Sequence, residues 1–450
     1  MKAVSGLVQD TPRECTGPYK GPLGLFPVPY SRRVFNFHWF NFYNAICFQI
    51  ILGAPIVLLA KDLGADSTTL GLIEAFTPLM TMMQLPAARH LGRFSYRSFA
   101  LMGWGLRSIF IGTSAIVPLL FFFSKEVRLG LLLAGLFLFN LIRGISTAAF
   151  LPWITGIVPS SMRGRYIGVD HTFIYGGSLL TMLFSALLMR GHIEPWRYSI
   201  VLLLSVSGAA VSLLYLRLIP DADHTEATAS SSERVSWRRM LSVVPFRNSI
   251  LFSLLFGTVT GGLSVFPVEY LRMQAHFTPA TIFALSSATF FAPLLILQRL
   301  GRMVDRLGSL LVIRAAISVF ALVLFIWFGM SAGLIRHDWK IVLLLNLLGG
   351  MGVAGFNLAN LHLVMSVVPD AGKNHYFALT TVITSLGMGL VPILWGTILD
   401  SLGGLDLTEG PFHLRRHSIY FLGIFLLSLV ALIASRILIQ PASHHTPEAV

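Results

Sequence analysis

Long apolar runs alternate with short polar gaps along the whole chain. Runs of about 18–25 apolar residues, bounded by charge, Pro or Gly, recur twelve times, and roughly 20 such residues in helical form cross a bilayer core. The pattern predicts membrane helices at 35–60, 69–88, 98–122, 129–155, 168–189, 198–218, 248–271, 279–298, 310–333, 341–365, 377–399 and 417–438. Gly and Pro inside these runs do not argue against helices, because membrane helices tolerate both. The fold class is an all-α polytopic membrane protein.

The gaps carry the organisation. The longest, 219–247, includes DADHTEATASSSERVSWRR and is the only strongly polar internal stretch. Its Ser/Thr/Ala/acid composition reads as a cytoplasmic linker. It separates a six-helix bundle at 35–218 from a second at 248–438, with tails at 1–34 and 439–450. The two halves repeat each other. FNLIRGISTAAF (139–150) aligns without gaps on LNLLGGMGVAGF (345–356), matching Asn140 to Asn346, Gly144 to Gly350 and Phe150 to Phe356. After a small insertion Pro159 pairs with Pro369, Tyr166 with Tyr376 and Gly177 with Gly387. Two homologous six-helix halves follow.

Composition agrees and removes other classes. Of 450 residues, 55% are hydrophobic and 12% charged, against about 25% charged in soluble chains. The formal charge of +13 does not mark a nucleic-acid binder, since Lys and Arg sit in the gaps and form no basic face. They mark topology instead. With the N-terminus cytoplasmic, that side holds 21 Lys and Arg and the other side 10, so both termini are expected in the cytoplasm of a multi-pass protein of the cell (inner or plasma) membrane. Cys15 and Cys47 are too few for a disulfide framework or a Cys-rich metal site. The N-terminal region lacks a short apolar core with a cleavage site, so the first span is expected to stay as a signal anchor.

At the end of the eighth span the chain reads Gly301-Arg302-Met-Val-Asp305-Arg306-Leu-Gly308. This resembles the G-x-x-x-D-R-x-G loop of the major facilitator superfamily, which lies between helices 8 and 9. The equivalent loop after the second span keeps Arg93 and Arg97 but has Gly92 in place of Asp and Ser95 in place of the second Gly. Twelve spans, a central linker, two repeats and this loop make the resemblance cover essentially the whole chain. It implies two pseudo-symmetric six-helix bundles that alternately expose a midplane site, and a loop that latches the outward-facing state. In physical terms Gly301 and Gly308 permit tight turns and close helix approach. Asp305 and the arginines can form a charge cluster, and the arginines also serve as positive-inside anchors.

Charge at mid-bilayer costs about 2.5–3.5 kcal/mol on insertion scales, so such residues are candidates for function. Arg143 falls near the middle of the fourth span, with Asn140 and Thr147 on its face. The resemblance places helices 1, 4, 7 and 10 around the cavity, and there Arg143 would attract an anionic group or pair with a titrating carboxylate; bonding to carbonyls of a neighbouring helix is the structural alternative. RGISTAA also resembles the family's helix-4 Arg motif for proton coupling, with Thr147 where that motif has Gly. Arg107, in the third span, reads as a structural or snorkelling residue. Asn41 and Asn44 share a face of the first span with Phe37 and Phe48, a pairing suited to a polar organic molecule; bonds between helices are the alternative. Asn346, Asn357 and Asn360 line one face of the tenth span. Glu74 and Glu269 are the candidate proton carriers, each also readable as a boundary residue. Helix 5 has Gly176-Gly177 but lacks the Gly-Pro pair of the family's drug exporters.

No H-E-x-x-H or G-K-[ST] motif is present, and no enzyme activity or cofactor is expected. The expected function is transport of a small polar or anionic organic solute, by a monomer in the lipid bilayer, with or without a co-transported proton. An exporter of amphipathic compounds, or a receptor or lipid-handling protein on the same fold, are the other classes.

Overall fold

The computed structural model describes residues 16–19, 21, 28–158, 162–192, 194–221, 236–368, 373–409 and 412–437. The tail 439–450, the linker centre 222–235 and the repeat positions Pro159 and Pro369 lie outside the described residues.

Each predicted span is helical, and several are broken where the sequence supplies a breaker. The first is α1 (Arg32–Ile51) followed by α2 (Ala54–Asp62). The break falls at Gly53, where a Cβ would lie 2.3 Å from the Gln49 carbonyl oxygen, and Pro55 then sits in the first turn of α2, where no intrahelical N–H is needed. The second is α3 (Ser67–Thr81) and the short α4 (Gln84–Ala88). The third is α5 (Tyr96–Ile116); the fourth is α6 (Lys125–Thr147) and α7 (Phe150–Ile157). α8 (Arg163–Leu188) and α9 (Pro195–Arg217) complete the first six.

A short helix, α10 (Trp237–Ser242), forms inside the stretch read as linker, its start capped by the Ser236 hydroxyl accepting from Arg239 N. The seventh span is α11 (Val244–Thr260) and α12 (Phe266–Met273), separated at Gly262, which takes φ +91°. Then follow α13 (Pro279–Leu307), α14 (Ser309–Ser331), α15 (Trp339–Val367), α16 (Lys373–Ser401) and α17 (Arg416–Ala434). Ten helices among the described residues are long and apolar enough to cross a bilayer. The second and seventh spans are the remaining two, their main helices held to 15 and 17 residues by these breaks. Two hairpins that hydropathy did not anticipate, β1 (Thr16–Tyr19) with β2 (Val28–Tyr30) and β3 (Asp406–Glu409) with β4 (Phe412–Arg415), lie outside the spans.

Burial is sorted by size more than by polarity, as lipid solvation demands. In α9, Ser199, Ser205 and Ser212 are buried while Leu203 and Leu214 are exposed. Small residues let helices approach, and the exposed leucines meet hydrocarbon.

Two compact units result. The first holds Met1–Ser230, Gly262–Leu294 and Gly389–Gly403; the second holds Ser231–Gly261, Leu295–Met388 and Gly404–Val450. The divisions within α13 and α16 fall about a turn or less from Pro293 and Pro392, each of which removes a backbone hydrogen bond.

The repeat is visible in the packing inside each unit. In the first, Tyr166 packs edge-on to Phe37 of α1 and Phe150 tilts onto Phe40. In the second, the matched Tyr376 packs edge-on to Phe246 of α11 and the matched Phe356 onto Phe252. Gly177 of α8 is pressed against the Phe42 carbonyl, and Gly387 of α16 against Leu254. The same positions in each half thus seat the fourth and fifth helices of the half on its first.

Candidate substrate site

Arg143 projects from α6 with its guanidinium carbon 5.1 Å from the centre of the Phe48 ring of α1. It is half-buried, and its Nη1 has no hydrogen-bond partner. Its face neighbours are occupied. Thr147 donates its hydroxyl back to the Arg143 carbonyl at 2.7 Å. Asn140 is buried, donates to the Leu136 carbonyl and accepts from Thr77 of α3 at 3.0 Å. Gly144 makes this approach of α6 to α3 possible, since a Cβ there would fall 1.8 Å from the Met80 carbonyl oxygen.

Arg107 does not snorkel. It is fully buried, its guanidinium set 4.4 Å from the Trp104 ring centre, 4.9 Å from Phe48 and 5.3 Å from Phe139. Nη2 donates to Asn44 Oδ1, which also accepts from Trp104 Nε1 at 3.3 Å; Nε and Nη1 are without partners. Snorkelling fails because aromatic rings of three helices close over the side chain. The asparagines predicted to share a face therefore divide their work: Asn44 holds Arg107, and Asn41 turns to α8, where it donates to both oxygens of Asp170 at 2.8 and 3.0 Å.

Asp170 is a residue that the reading of the sequence passed over, although a carboxylate inside a predicted span was the signal for it. It also takes His38 Nδ1 at 3.0 Å, while Tyr30 bonds His38 Nε2 at 2.7 Å. The His38 imidazole is fully buried. With Nδ1 protonated, His38 donates to Asp170 and accepts from Tyr30, which satisfies every polar atom in the row. Burial first, then the nearby Asp170 charge, raise the Tyr30 phenol above its ordinary pKa.

A second polar cluster lies where α2 ends and α3 begins. Glu269 of α12 is fully buried and accepts from Lys61 Nζ and from Ser67 Oγ, each at 3.0 Å. Lys61 also donates to the Ala65 carbonyl. Asp400 of α16 accepts from Ser67 N, Thr68 N and Thr68 Oγ1 at 2.9, 2.7 and 2.6 Å, so α3 carries a carboxylate from another helix at its N-terminus beside its own cap, Asp66. Asp62 accepts from Tyr198, with Arg272 3.9 Å away. Glu74, two turns into α3, bonds Gly262 and Ser264, and its Oε2 is buried without a partner.

The remaining candidates belong to the second unit or to exposed ends. Asn346 donates to the Val342 carbonyl of its own helix, Asn360 accepts from Ser253, and Asn357 is exposed. Gly301 is helical with open space where a Cβ would lie, so it makes neither a turn nor a close approach; Gly308, at φ +84°, makes the turn into α14. Arg302 and Arg306 are exposed on the last turns of α13, and Arg93 and Arg97 are exposed at the equivalent loop. The Asp305 side chain lies outside what is described. Among the described residues no cluster of three His, Cys, Asp or Glu side chains could hold a metal ion.

Two repeated sets of membrane helices, with an unpaired arginine and a buried carboxylate among them, define a polytopic carrier. Residues 38–331 match the model of the Major Facilitator Superfamily, and the chain belongs to that family of membrane transporters. Its fold is the family's twelve-helix arrangement of two pseudo-symmetric bundles. Solved structures agree at low identity. A D-xylose-proton symporter superposes with a TM-score of 0.70 at 14% identity, covering 91% of this chain and 98% of that one. A bacterial homologue of the human lysosomal transporter Spinster gives 0.64 at 15%, covering 90% and 97%. The nucleoside transporter NupG gives 0.61 at 13%, covering 91% and 99%. No curated protein matches the chain by sequence.

Proposed function

We propose that the protein carries a small polar or anionic organic solute across the cell membrane by alternating access, as a monomer with both termini in the cytoplasm. Arg143 is the observation that carries this reading. A guanidinium well inside a membrane span, with Nη1 unbonded and no ion pair among the described residues, is favoured by access of water or an anion. A cavity that opens to one side in turn meets that need.

The polar cluster at Lys61, Ser67, Glu269 and Asp400 is suited to close the non-cytoplasmic side, because it ties helices from both sequence halves together. Glu74, half-buried and with no ion pair among the described residues, is the better placed of the two carboxylates to take up a proton; Glu269 already has Lys61. Carriage of a sugar or nucleoside, as the names of the solved relatives indicate for those proteins, is the neutral-cargo reading. Uptake by proteoliposomes tests the proposal. Flux of an organic anion that Arg143→Ala lowers at least tenfold, with insertion intact, supports it; undiminished flux refutes the role of Arg143.

A further inference from the structure

Arg107 and Arg143 come from different helices and meet at one ring. Their guanidinium carbons lie 4.9 and 5.1 Å from the centre of Phe48, so the two stand no more than about 10 Å apart. Between them three guanidinium nitrogens are buried without a partner: Nε and Nη1 of Arg107 and Nη1 of Arg143. The carboxylates of the membrane helices described above have other partners: Asp170 takes His38 and Asn41, and Glu269 takes Lys61 and Ser67. None forms an ion pair with either arginine among the described residues.

We propose that these two arginines form one anion site of charge +2 and that the cargo is a small organic dianion, a dicarboxylate or a phosphate monoester; this rests on the transporter reading above. Two like charges drawn into a low-dielectric interior repel each other and each loses its hydration, and one monoanion leaves half of that charge uncompensated. A dianion neutralises both. The guanidinium fork supplies the geometry, since paired N–H groups match the oxygens of carboxylate or phosphate. Asn44 acts as a positioning residue: its Oδ1 takes one Arg107 nitrogen and the Trp104 indole, which leaves the other Arg107 nitrogens free. The three rings around Arg107 hold its cation where water is scarce, so that an anion gains more from it than it would at a surface.

The test uses full-length protein in proteoliposomes at fixed ionic strength, with succinate, phthalate and glycerol 3-phosphate as dianions, lactate and benzoate as monoanions, and xylose and uridine as neutral probes. Thermal stabilisation of the purified protein and counterflow are both read. At least one dianion is expected to bind and exchange better than every monoanion. Arg107→Gln should weaken that dianion by about tenfold or more while changing a monoanion of similar shape less than threefold, and Arg107→Lys should restore part of the preference. If Arg107→Gln fails to accumulate, Arg107→Lys and Arg143→Lys are compared by the dianion-to-monoanion ratio, which a purely structural arginine would not move. Flux of monoanions or neutral probes with dianions no better would overturn this inference and leave transport standing. Absence of binding and flux for all seven probes would count against both.

Discussion

Lys61 and Glu269 are 208 residues apart in sequence, yet the ammonium nitrogen lies 3.0 Å from a carboxylate oxygen that solvent does not reach. Ser67 completes the carboxylate's bonding. The pair joins α2 to α12 within the first compact unit. Breaking a buried pair by removing one charge is costly, about 3–5 kcal/mol, because the other charge is left uncompensated. Glu269→Gln should therefore lower the melting temperature in detergent far more than Glu269→Gln combined with Lys61→Met. Additive losses in that double-mutant cycle would remove the pair from the list of structural ties.

The same cluster bears on transport. If it closes the non-cytoplasmic side, Asp400→Asn, which removes the charge from the N-terminus of α3, should raise the labelling of a cysteine placed at Ser264 by a membrane-impermeant thiol reagent. Equal labelling in both backgrounds would mean that this carboxylate does not hold the side closed.

Glu74 offers a separate test of coupling. Glu74→Gln keeps the bonds to Gly262 and Ser264 within reach but removes the titrating proton. Uptake of the cargo should lose its response to an imposed proton gradient while exchange without a gradient persists. Wild-type uptake indifferent to that gradient would assign the protein to uniport.

The repeat predicts an asymmetry. Gly177 and Gly387 are equivalent positions, but a Cβ at Gly177 meets a backbone oxygen at 2.6 Å, whereas one at Gly387 meets the end of the Leu254 side chain. A leucine tip can rotate away and a helix carbonyl cannot. Gly177→Ala should cost about 1–3 kcal/mol, and Gly387→Ala clearly less. Fluorescence-detected melting of the two variants decides it, and equal losses would contradict the packing argument.

For the loop after α13, Asp305→Asn should impair transport with membrane insertion intact. Normal flux would leave Arg302 and Arg306 as topological anchors only.

Hydropathy was enough for the twelve spans because lipid imposes length and apolarity on each helix separately. Register between the halves was legible too, since Gly144, Gly177 and Gly387 are demanded by close approach and so recur. Arg143 stood out as a charge where lipid forbids one. Three things were decided only by the tertiary structure. Arg107 became Arg143's neighbour because both guanidiniums gather at the Phe48 ring of α1. Asn41 and Asn44, one helical turn apart, acquired different partners. Glu269 found Lys61 across two hundred residues. A single sequence records what each residue can bond with, and local spacing limits which neighbours on one helix share a face. Which helix supplies the partner depends on how helices pack, and in a membrane that is settled by small side chains and by buried polar groups that must find one another.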